Sequence, residues 1–110
     1  MSAERLAQVV REGSILEEAQ FLTVKAGDTV MMPAGTIHAL GPGLLVYEVQ
    51  QTSDITYRVF DWNRPLTAGR ALHIEKSLAV ANPAGMGQVR RAQAGAGRQT
   101  LAACDYFRLE

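Results

Sequence analysis

Residues 27–43 read GDTVMMPAGTIHALGPG, and how this stretch folds decides the architecture. Two short β-prone runs, TVMM (29–32) and TIHAL (36–40), flank the Pro33-Ala34-Gly35 corner, and Gly41-Pro42-Gly43 follows. Glycine tolerates positive φ and proline fixes its own, so both segments read as sharp reversals between strands. On strand alternation Thr36, His38 and Leu40 share one face. The corner would then hold the His38 imidazole at a set height on a rigid element, as a metal ligand requires. The competing reading is a core or rim histidine whose ring is satisfied by a backbone carbonyl.

Outward from this stretch, FLTVK (21–25), LLVYEVQQ (44–51) and TYRVFDW (56–62) are further β-rich runs. Several short strands at close spacing predict a mainly β fold, a sandwich or barrel, rather than βαβ units. LLVYEVQ is apolar on both faces and so expects cover on both sides. Before the strands, Leu6, Val9 and Val10 fall at helical spacing, Ser2 can cap and Gly13 can stop, which predicts a helix over 3–12. Ser14 and Glu17 stand at capping-box spacing and predict a short second helical turn. LHIEKSLAVANP is a third helix, with Ile74, Leu78 and Ala81 on one face and Pro83 preventing continuation.

The chain therefore divides into a helical lead-in (1–20), a β core with a packed helix (21–82), a Gly/Arg-rich loop (83–100) and a terminal strand (101–110). In the loop, Arg90, Arg91 and Arg98 read as solvated charges before they read as an anion site.

The bulk numbers narrow the functions. A length of 110 residues is one domain's worth. Eleven basic and eleven acidic residues leave no net field for phosphate backbones or anionic lipid, so neither nucleic acid nor membrane is an expected partner. The single cysteine, Cys104, excludes an internal disulfide and fits a reducing, cytoplasmic setting. No run reaches the length of a membrane span.

Arg58 carries a permanent charge suited to stabilising a developing oxyanion or gripping a phosphate; its bland role is a strand-surface charge paired with Asp54 or Asp61. Glu48 and Gln50 alternate onto one face of 44–51, either lining a site or wetting an edge strand. Tyr57 and Trp62 read as packing anchors, Lys25 and Asp28 as turn residues, and His73 receives no role.

Gly27, Pro33, Gly35 and His38 fit G-x5-P-x-G-x2-H, the spacing of one of the two motifs typical of cupins. The continuation GTIHALGPGLLVYEVQQTSDITYRVFDWNRP (35–65), with HIEKSL (73–78) and CDYFRLE (104–110), resembles type I mannose-6-phosphate isomerases. That resemblance implies a cupin-like (jelly-roll) β-barrel or partial barrel with flanking helices. It also implies the interconversion of mannose 6-phosphate and fructose 6-phosphate through an enediol, with zinc as cofactor. On the matching positions it makes His38 a zinc ligand and Arg58 the catalytic residue, with Glu48 and Gln50 as substrate-binding candidates.

The family's other zinc ligands lie in Gln-x-His-Pro and Lys-Thr-Glu motifs, which this sequence does not contain. One imidazole does not hold zinc tightly, so the expectation is a chain lacking the upstream half that carries most of the ligands. Two other readings stand beside this one: a degenerate cupin module that binds sugar phosphate, and a structural subunit that completes a separately encoded partner. A partial barrel exposes an apolar face, so a homodimer or a partner chain covering the sheet is expected.

Overall fold

The structure, a computed structural model, describes residues 1–53, 55–62, 72–95 and 97–110. Helix α1 spans Ala3–Glu12. Ser2 caps it, its hydroxyl accepting from the Arg5 N–H at 3.1 Å, and Gly13 ends it in the left-handed conformation with φ 74°. A single turn, α2 (Ile15–Glu18), follows. The Ser14 side chain makes no capping bond; its carbonyl accepts from the Glu17 N–H instead, so the expected capping box does not form. Arg5 ties the two helices together, donating through Nε and Nη2 to Glu18 Oε1 at 2.8 and 2.5 Å. The hydrogen bond and charge of Glu18 hold the Arg5 guanidinium above its ordinary value.

Strand β1 (Thr29–Met31) pairs antiparallel with β2 (Gln88–Arg90), in the register Thr29↔Arg90, Val30↔Val89 and Met31↔Gln88. Between them in sequence lies α3 (Ile74–Val80). A second ribbon joins β3 (Ala102–Ala103) to β4 (Arg108–Leu109), closed by Cys104 N–H to Phe107 C=O at 2.9 Å, and β3 rests against β1. The chain thus has helices and two small antiparallel sheets, with no closed barrel among the described residues.

The sheets depart from the sequence expectation in three ways. The segment 83–100 is not all loop, because Val89, flanked by Gln88 and Arg90, meets the edge of β1 and is drawn into a ladder. The tail 101–110 is a hairpin rather than one strand, since the chain reverses between Cys104 and Phe107. The runs 21–25, 36–40, 44–51 and 56–62, expected as strands, carry no regular ladder among the described residues. The cause is a missing neighbour: β-propensity describes how a side chain fits a pleated, half-buried surface, and a strand without a partner edge has none. Leu45 is 102 % exposed and Tyr47 88 %, side chains of one parity, while Val46 and Val49 are also exposed. Among the described residues, nothing covers either side of this run.

The core sits instead on α1. Leu6, Val9 and Val10 are buried, and Ile15, Ile37, Val59, Ile74, Leu78 and Ala81 pack around them. The helical spacing of the three α1 residues places them on one stripe, and α3 supplies the facing stripe through Ile74 and Leu78. Arg11 and Glu75 bridge the two helices at the exposed rim, at 3.2 Å. A pair so open to water contributes at most about 1 kcal/mol, so apolar contact holds α1 to α3. No helix among the described residues is long and apolar enough to cross a membrane.

Candidate functional site around His38, Arg58 and helix α3

The Pro33–Thr36 corner folds as its sequence demands. Thr36 N–H donates to Pro33 C=O at 3.1 Å, and Gly35, third in the reversal, has φ 84°, the value a type II turn reserves for glycine. The corner is docked onto the end of α3: Asn82 N–H donates to Gly35 C=O at 2.8 Å. A methyl group on Gly35 would stand 2.8 Å from the Val80 carbonyl oxygen, so the close approach needs glycine on steric grounds as well. Thr36 is buried, and Ile37 reaches the α1 core.

His38 follows two residues later and is exposed. Its Nδ1 lies 2.9 Å from the Thr36 carbonyl oxygen. A carbonyl only accepts, so Nδ1 carries the proton and Nε2 holds the lone pair. The backbone-carbonyl bond of the bland reading is therefore present. The same bond is how a metal-ligating histidine is oriented, with one ring nitrogen held by the main chain and the other left to coordinate. One feature serves both readings.

Arg58 is anchored at the opposite end of α3. Its backbone N–H donates to His73 Nδ1 at 3.1 Å, and His73 N–H donates back to Arg58 C=O at 2.8 Å. His73 and Ala81 flank the helix, eight residues apart, about 12 Å along its axis. Helix α3 thus spaces the backbone of Arg58 from the corner that presents His38. Asp54, one of the two carboxylates expected beside Arg58, lies outside the described residues, as does the Asn63-Arg64-Pro65 end of the 35–65 run. Glu48 and Gln50 are exposed, in a stretch without regular structure.

The packing anchors behave differently from each other. Tyr57 sets its ring against His73, with centroids 5.8 Å apart and planes at 52°, and Lys76 Nζ lies 5.9 Å from the Tyr57 centroid. Trp62 meets Phe60 edge-on at 5.6 Å. His73, to which sequence reasoning assigned no role, is the residue that joins Arg58 to the helix. The signal was its place: histidine is a poor N-cap, and a residue at that position invites the question of what its ring does instead.

The basic cluster is spoken for by the fold. Arg91 pairs with Asp28, which also accepts from the Lys25 N–H at 2.8 Å. Arg90 Nη1 donates to Thr100 C=O at 2.6 Å, and Arg98 pairs with Glu110 at 3.0 Å. An open groove of about 380 Å³ lies between the two sheets, lined by Met31, residues 88–90 and residues 100–103. None of His38, Glu48, Gln50 or Arg58 lines it.

Among the described residues no group of three or more His, Cys, Asp or Glu side chains could hold a metal ion. Zinc in a catalytic site takes three protein ligands and an open position. His38 suits one of those places, and the described donor set does not complete the site.

No family model matches the chain, and no solved structure does. Curated proteins do match. The chain is 46 % identical over 81 residues to a mannose-6-phosphate isomerase of Streptococcus mutans, covering 72 % of this chain and 26 % of the relative. It is 42 % identical over 79 residues to mannose-6-phosphate isomerase ManA of Bacillus subtilis, covering 70 % and 25 %. It is 43 % identical over 79 residues to the probable mannose-6-phosphate isomerase GmuF of the same organism, with the same coverage of 70 % and 25 %. The chain spans about a quarter of the length of the curated relatives it matches. Over about seven-tenths of its residues, then, this chain is a homologue of part of the mannose-6-phosphate isomerases.

Proposed function

We propose that this chain carries part of the site of a cupin-fold, zinc-dependent mannose-6-phosphate isomerase, which interconverts mannose 6-phosphate and fructose 6-phosphate. Moving a proton between C1 and C2 passes through an enediol whose oxygens gather negative charge. Arg58 stabilises that charge, because a guanidinium stays protonated and offers a planar fork of donors. Glu48 and Gln50 contact the sugar hydroxyls. His38 contributes one metal ligand through Nε2, the nitrogen its Thr36 bond leaves with the lone pair. Since the described residues do not complete a zinc site, the remaining ligands come from outside them.

The observation that carries this reading is the identity of 42–46 % to three isomerases over some eighty residues. The exposed run from Leu44 to Val49 supports a companion to it, that the chain works in association with further polypeptide, as a homodimer or with a partner chain covering this face.

The test is turnover. Isomerase activity is measured by coupling fructose 6-phosphate formation to a dehydrogenase, with zinc supplied, on the protein and on its Arg58→Ala variant. Loss of an oxyanion-stabilising charge lowers kcat by about 10²–10³-fold. Wild-type turnover that Arg58→Ala leaves within about twofold would refute the role given to Arg58. Sugar-phosphate binding with no turnover, zinc present, would leave only a binding module.

A further inference from the structure

We propose that His73 is a positioning residue for Arg58, fixing where the arginine's side chain starts by gripping its backbone on both sides. The inference rests on the isomerase reading, in which Arg58 meets the substrate. Nothing in that reading involves His73.

Four observations converge. First, the two bonds between Arg58 and His73, 3.1 and 2.8 Å, close a ring between residues fifteen apart in sequence, so both backbone polar groups of Arg58 are tied to the start of α3. Second, His73 is itself fixed, its carbonyl accepting from the Ser77 N–H at 2.8 Å in the first turn of the helix. Third, the Tyr57 ring rests against the imidazole, and Lys76 stands over Tyr57, so the residue preceding Arg58 is held to the same helix. Fourth, His73 occupies the N-cap position yet its side chain makes no capping bond. Serine, threonine, aspartate or asparagine would stabilise the helix start more. A residue that is locally second-best, with its ring turned to the backbone of the proposed catalytic arginine, is what a site that departs from local optimality looks like.

The tautomer follows. A peptide N–H only donates, so His73 Nδ1 holds the lone pair and, in the neutral ring, the proton sits on Nε2, the opposite arrangement to His38. An imidazolium would set N–H against N–H and break the grip.

The experiment compares His73→Ala, His73→Asn and His73→Gln in the full-length protein. Asparagine places an acceptor oxygen near the position of Nδ1; glutamine reaches one bond further. Hydrogen exchange of the Arg58 amide and steady-state isomerase kinetics are read on each. Expected in His73→Ala and His73→Gln is an Arg58 amide that exchanges about tenfold faster and a kcat lowered about ten- to a hundredfold, the scale of a misplaced catalytic group, with KM changed less than about threefold. His73→Asn restores both. If His73→Ala does not fold, the Asn and Gln pair decides. Arg58 amide exchange unchanged in Ala or Gln overturns the grip. Faster exchange with unchanged kcat in an active enzyme overturns the positioning role alone. Absence of turnover in the wild-type protein, with zinc and the polypeptide that completes the site supplied, overturns the isomerase reading beneath it, and the positioning role with it.

Discussion

Replacing Gly35 by alanine tests whether the corner that presents His38 is docked tightly on α3. Two costs add. At φ 84° a Cβ meets the following carbonyl, which costs about 1–2 kcal/mol. The new methyl would also stand 2.8 Å from the Val80 carbonyl oxygen and within 3.4–3.6 Å of the Asn82 amide nitrogen and Cβ. Backbone on the far side cannot rotate away as a flexible side chain does, so relief requires the corner to move off the helix, at about 1–3 kcal/mol by the scale of overpacked sites. Gly13→Ala is the internal control: φ is 74°, nearly the same, and apart from its own chain neighbours nothing lies within 4 Å of the added methyl. It should cost the conformational part alone. Thermal unfolding followed by circular dichroism, with about 4 °C per kcal/mol at this size, should lower the midpoint by roughly 4–8 °C for Gly13→Ala and 8–20 °C for Gly35→Ala. Hydrogen exchange at the Asn82 amide, whose bond to Gly35 C=O would be strained, should quicken in the second variant only. Equal midpoint shifts in the two variants would refute the close docking, and with it the role of α3 in placing His38.

Ser77 is 3 % exposed on α3 and its hydroxyl has no partner among the described residues. Ser77→Ala removes that unmet group and improves helix propensity, so denaturant unfolding should show a gain of about 0.5–1.5 kcal/mol; a loss would mean that the hydroxyl has a partner. The apolar run at 44–49 should drive association: light scattering at high protein concentration should give a mass above one chain, and Leu45→Lys with Tyr47→Lys should bring it down toward the monomer. A monomer at every concentration would remove the case for a homodimer across this face.

Much of the helical part was legible in sequence. Helix α1 starts at Ser2 and stops at Gly13 because both signals act within one turn, through the Ser2 hydroxyl on the Arg5 amide and the freedom of Gly13 to turn left-handed. The third helix was placed by the Ile74 and Leu78 spacing for the same reason, although it is shorter than the run from Leu72 to Pro83. The Pro-x-Gly corner was equally readable, since its φ values are a property of those residues. The strands were not. Thr29–Met31 and Leu44–Gln51 look alike as β-prone runs, yet one has a ladder and the other has none, because a strand exists only by virtue of an edge beside it. Gln88–Arg90, passed over inside a Gly/Arg-rich stretch, is a strand because β1 lies next to it.

The same division runs through the site. His38 and Arg58 stand out by residue type and spacing, and chemistry alone says what an imidazole or a guanidinium can do. That His73, and no carboxylate in the described part, takes the Arg58 amide was invisible in sequence, since fifteen residues separate them and neither local pattern points at the other.

By itself the sequence determined the turns, the helix limits and the candidate residues, all of which depend on interactions within a few residues of chain. Only the tertiary structure decided which β-prone runs pair, that the core gathers on α1, and that α3 carries the His38 corner at one end and Arg58 at the other. The physical reason is range: caps and φ preferences act locally, whereas ladders, burial and the spacing of a site depend on what the rest of the chain brings alongside.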